Sequence, residues 1–70
     1  MKTISNAQQK VIDIMLKEPA PFHFIPWGLN YYHLWNADHE YRGRVRHCTF
    51  DALVRKELIE YDNGWHLASN

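Results

Sequence analysis

Seventy residues make one domain, spanning 1–70, whose core is too small to enclose a deep catalytic pocket as well. A hydrophobic fraction of 46%, with three Trp, four Tyr and three Phe, excludes an intrinsically disordered chain. Eight basic residues balance eight acidic ones, so any phosphate contact depends on where the arginines lie rather than on net charge.

The N-terminal run from Met1 through Thr3 to Asn6 leads into a polar-faced segment with no long apolar stretch. The expectation is a soluble, cytoplasmic protein without signal peptide or membrane span. One cysteine, Cys48, allows no internal disulfide and suits a reducing compartment.

Ser5 and Gln8 have the spacing of a capping box, and a helix is predicted from there to Lys17. Ala7, Val11, Ile12, Ile14, Met15 and Leu16 share one broad arc. Asn6, Gln9, Lys10, Asp13 and Lys17 take the other side. Pro19 and Pro21 end the helix, because proline lacks the backbone N–H and restricts its predecessor.

With Pro26 added, the run from Ala20 to Pro26 reads as extended or irregular. Leu29 to Trp35 is rich in aromatic residues, which favours a strand. A spacing of three between Leu29, Tyr32 and Trp35 also fits a helical turn, and the strand is preferred. Asn36 to Glu40 fits either a turn or a short capped helix ending at Gly43.

A second helix is predicted over about 46–58, with Phe50, Leu53, Val54 and Leu58 as its buried stripe. Cys48, Thr49, Ala52, Arg55 and Lys56 lie opposite, with Asp51 at the edge. The facing stripes of the two helices, Val11 and Met15 against Phe50, Leu53, Val54 and Leu58, should form the core. The C-terminus is predicted to be a hairpin. A three-residue loop, Asp62-Asn63-Gly64, pairs Tyr61 with Trp65 and Ile59 with Leu67, and sends Glu60 and His66 together into solvent. The fold class is therefore α+β, with two helices, a C-terminal hairpin, and a strand or short helix between them.

The N-terminal helix, the run Val45-x-x-x-Thr49-Phe50-x-x-Leu53-Val54, and Leu58-Ile59-Glu60 leading into a tight hairpin resemble a winged helix-turn-helix. The resemblance covers residues 5–17 and 44–68. It implies a small winged helix-like domain of the kind found among bacterial and phage regulators, with a recognition helix at about 46–58 and a wing at 59–68. The implied function is that of a small DNA-binding regulatory protein acting in transcription, with double-stranded DNA as partner. Glu57 departs from the glycine such domains often carry at the helix end. The acidic wing loop is a poor phosphate clamp, and the usual second helix is not obvious.

Within that frame, Arg42, Arg44 and Arg46 alternate, so an extended segment would place all three on one face toward phosphates or guanine. The plain alternative is a solvated edge balanced by Asp38 and Glu40. On the helix, Thr49 and Ala52 suit contact with a thymine methyl or a phosphate. Arg55 and Lys56 suit backbone or base contact, and Asp51 opposes it. The candidate nucleic-acid set is Arg42, Arg44, Arg46, Thr49, Arg55 and Lys56.

His23, His33, His39, His47 and His66, with Cys48, show no metal-ligand spacing. No phosphate loop, nucleophile motif or framed carboxylate pair is present, so neither cofactor, metal site nor enzymatic activity is expected. Phe22, Phe24, Trp27, Tyr31, Tyr32 and Trp35 place six large rings in the segment 22–35, more than one strand face can bury. The alternative function is thus a winged-helix protein–protein interaction module, an inhibitor or adaptor of a protein partner. Trp27, Tyr31, Tyr32 and Trp35 would contact that partner or a second copy of the chain.

Overall fold

A computed structural model describes residues 4–68; the N-terminal reading at Met1 to Thr3 lies outside the described residues. The chain runs α1 (Asn6–Lys17), β1 (His23–Trp27), β2 (Tyr31–Trp35), β3 (Tyr41–Arg46), α2 (His47–Arg55), β4 (Ile59–Tyr61) and β5 (Trp65–Leu67). Strands β1, β2 and β3 form an antiparallel meander in that order, and β4 pairs with β5.

This order corrects the winged-helix expectation. A winged helix sets helix on helix before its hairpin, whereas three strands here fill the whole interval between α1 and α2. The physical reason lies in residues 22–46, whose many aromatic rings favour strands. Phe22, Phe24, Leu34 and Val45 are buried on the inner side of the sheet. Pro26 is compatible because β1 is an edge strand, where a missing N–H costs no ladder bond. Residues 36–40 form a turn rather than a helix.

Helix α1 begins as expected. The Ser5 hydroxyl accepts from the Gln8 amide at 3.2 Å, and the Ser5 amide donates to Gln8 Oε1 at 3.4 Å. Its buried seam is narrower than the apolar arc. Gln8, Val11 and Met15 are buried, whereas Ala7 is exposed and Leu16 is 66% exposed. The helix packs on α2 and β5, which cover one stripe of it. Gln8 Oε1 also accepts from Lys56 Nζ at 2.9 Å, tying α1 to the end of α2.

Helix α2 follows β3 without a loop and stops at Arg55, three residues short of the expected end. Leu58 N–H donates to Leu53 O and Glu57 N–H to Val54 O, both at 3.0 Å. These are the two bonds of a Schellman stop, which needs its penultimate residue in the left-handed region. Glu57 occupies that position at φ 58°. Phe50 and Leu53 are buried as expected, but Val54 is 38% exposed, and Thr49 and Ala52 take its place inside. The helix is seated against both the sheet and α1, so burial turns toward Thr49 and Ala52.

The hairpin has the expected register, with Ile59 opposite Leu67, Glu60 opposite His66 and Tyr61 opposite Trp65. Gly64 is at φ 124° and Asn63 at φ 56°. A reciprocal pair of 2.8 Å bonds between Phe22 and Trp65 joins the hairpin to the chain just before β1.

Two stability changes follow. Glu57→Gly relieves a side chain held in the left-handed region and should raise stability by about 0.5–1 kcal/mol, read as a higher thermal midpoint. Gly64→Val should lower stability by at least about 1 kcal/mol. A Cβ there falls on the Pro21 side chain, in addition to the unfavourable φ.

Candidate functional site

Both helices contribute to the core on the inner side of the meander, whereas no helix covers the outer side. At one end of that outer side, His39 of the β2–β3 turn stacks on His23 at 5.3 Å. Pairing of β1 with β2 places Ile25 opposite His33 and Trp27 opposite Tyr31 on that open face. Pairing of β2 with β3 adds Arg44 opposite His33 and Arg46 opposite Tyr31. Directly opposed residues project to the same side, so the surface is set by register.

The open-face rings pack on one another. Trp27 stacks on His33 at 4.6 Å between centroids and an interplanar angle of 18°. Tyr41 meets His33 edge-on at 5.0 Å and Trp35 at 5.6 Å. The Arg44 guanidinium lies over the Tyr31 ring, 4.3 Å from its centroid, a cation–π contact. Trp27 is 60% exposed and Tyr41 47%. None of the outward positions on the three strands is acidic.

Arg42 does not belong to this face. The register shifts between Leu34 and Trp35, pairing them with Gly43 and Tyr41 and leaving Arg42 as the extra residue of a bulge. Its guanidinium turns to Glu18 at 2.6 Å and Glu40 at 3.0 Å. Asn36, buried, organises the same corner. Its amide donates to Glu18 at 2.7 Å and Glu40 at 3.0 Å, and its Oδ1 accepts from the Asp38 and Glu40 amides. The hydrogen bond from Arg42, then that from Asn36, hold the Glu18 carboxyl below its ordinary pKa. Arg42 is thus a strut between the end of α1 and the β2–β3 turn.

The remaining predicted residues divide similarly. Thr49 and Ala52 are buried, which leaves them no surface to offer a base edge. Lys56 reaches Gln8, while Arg55 is exposed beside Asp51 and Val54. Of the four rings expected at a protein contact, Trp27, Tyr31 and Trp35 lie on the open face. Tyr32 points inward, stacked on His47 at 4.5 Å and tilted against Phe50 at 4.5 Å. A shallow hollow lined by Asn30, Tyr31, Arg46, His47 and Cys48 opens where β3 passes into α2.

Sequence reasoning missed Ile25, His33 and Tyr41. Their signal was the strand-favouring ring content of residues 22–41, masked at β1 by Pro26. Among the described residues, no three His, Cys, Asp or Glu side chains are grouped to hold a metal ion. No described helix is long and apolar enough to cross a membrane. Comparison with known protein families, characterised proteins and solved structures finds no match.

The Glu18 corner gives a pH prediction. A carboxyl whose pKa is lowered on folding contributes stability that is present above its unfolded pKa, about 4.3. That contribution is lost as pH falls through the lowered folded value. Glu18→Gln should therefore be less stable at pH 7 and show a shallower loss of stability between about pH 5 and 3. Urea midpoints measured across that range check it.

Proposed function

We propose that this protein is a non-catalytic nucleic-acid-binding module whose contact surface is the open face of the three-stranded sheet. The observation that supports it is the placement of Arg44 and Arg46 among exposed aromatic rings on strands with no outward acidic residue. Zero net charge over the chain is no obstacle. Phosphate responds to the local field; Glu18 and Glu40 are paired with Arg42, and Asp38 and Glu40 lie in the β2–β3 turn, at the other end of β3 from Arg46. A regulatory role in the cytoplasm fits an exposed Cys48 thiol, which stays reduced there.

Insertion of α2 into a major groove has weaker support. Its exposed side offers His47, Cys48, Asp51, Val54 and Arg55, a single arginine beside an acid. A protein partner is favoured by the same exposed rings and by the aliphatic surface of Ile25, 50% exposed, and Leu29, 93% exposed. The arginines tip the balance, because two of them beside exposed rings, on strands with no outward acidic residue, supply the positive charge that phosphate needs.

The test is a salt titration of nucleic-acid binding. Each phosphate neutralised contributes about 0.7–0.9 to the log–log slope, so Arg44→Ala and Arg46→Ala should each flatten it by nearly one unit. Arg55→Ala should leave it unchanged. The reverse pattern, Arg55 alone changing the slope, would assign the contact to α2.

A further inference from the structure

Resting on the reading of the open face as a nucleic-acid contact, we infer that it takes single-stranded rather than duplex nucleic acid, with bases stacked on Trp27 and Tyr41 and phosphates on Arg44 and Arg46. The argument starts from which ring faces are available. Trp27 has one π-face covered by His33, yet remains 60% exposed, so its other face is open at the end of β1. Tyr41 makes only T-shaped contacts, with His33 and Trp35, has no stacked partner among the described residues, and is 47% exposed. Tyr31, by contrast, is already covered by Arg44.

These two exposed rings lie at opposite ends of a diagonal, Trp27–His33–Tyr41, that crosses all three strands. Adjacent strands are about 4.8 Å apart. An extended strand laid along the diagonal meets one ring, then the other, with His33 between them. Arg44 and Arg46 flank the path on β3, and the hollow beside Tyr31 and Arg46 gives the backbone a place to leave the sheet.

Duplex does not fit the same surface. Its bases are paired and stacked on each other, so their faces cannot meet Trp27 or Tyr41, and only the arginine contacts would remain. A major groove is read by a helix or a two-stranded ribbon, not by a flat three-stranded face carrying bulky rings. Stacking on an aromatic ring tolerates any base, since each has a π-face, and each ring is worth roughly 5- to 150-fold in affinity. The expected binding is therefore single-strand selective and weakly dependent on sequence.

The experiment compares three probes by fluorescence anisotropy at about 50 mM salt, where exposed charges are weakly screened. They are a labelled mixed-sequence single-stranded oligonucleotide, a hairpin duplex of the same composition, and a linear polyphosphate as competitor. The single strand should bind at least about 10-fold more tightly than the duplex. Trp27→Ala and Tyr41→Ala should each weaken single-strand binding within the range above, without altering the salt slope or competition by polyphosphate. Tyr41→Phe, which keeps the ring, should bind like the parent, and thermal melts confirm that each variant is folded. Equal binding of duplex, or unchanged binding by both Ala variants while the Arg44 and Arg46 variants still flatten the slope, overturns the single-strand inference alone. Absence of binding to either nucleic acid overturns the nucleic-acid reading of the face as well. In that case a dimer in sedimentation that Ile25→Glu dissociates would assign the face to a second copy of the chain.

Discussion

Burial of one side of a three-stranded sheet by two short helices is the constraint on which the molecule depends. Phe22, Leu34 and Leu53 are essentially excluded from solvent, and Val11, Met15, Phe24, Val45, Phe50 and Ile59 close around them. Helices of 12 and 9 residues reach about 18 and 14 Å, enough to cover one face of the meander and no more. Since strand side chains alternate, filling the inner face sends every second residue of β1, β2 and β3 outward. The open aromatic face is a direct consequence of the core.

That face is held from its margins. At one end, the bond from the His47 amide to Asn30 O, 2.8 Å long, ties the start of α2 to the β1–β2 turn. At the other, Asn36 satisfies its amide and carbonyl through Glu18, Glu40 and two turn amides, so a buried polar side chain carries no unpaired group. The Phe22–Trp65 pair prevents the C-terminal hairpin from swinging away from the sheet. With both ends and one side anchored, Trp27, His33 and Tyr41 keep their mutual geometry without burial. Such preorganisation lowers the ordering cost of binding.

Arg42 and Arg44 show how a single bulge divides residues that look equivalent. On paper they alternate and share a face. In the fold, the bulge at Arg42 turns one guanidinium to the carboxylates at the end of α1 and leaves the other on the Tyr31 ring. One stabilises the fold, and the other faces solvent beside a row of rings.

Local, short-range features were legible in the amino-acid order. The Ser5–Gln8 cap, the helix ending before Pro19, the β4–β5 register and the inward Phe50 and Leu53 all follow from bonding or periodicity within a few residues. A strand within residues 29–35 was legible too and is β2. What sequence could not supply was the rest of the meander, β1 and β3, and the choice of exposed side. Pro26 obscured β1, and a partial likeness to winged helices suggested an overall frame that the three-stranded meander overturns. Leu16, Val54, Thr49 and Ala52 show the same limit in α1 and α2. Periodicity gives the width of an apolar stripe, but the neighbour that packs against it decides which part is buried. The open face, and with it the proposed site, arises from residues brought together across three strands, a juxtaposition that only long-range pairing creates.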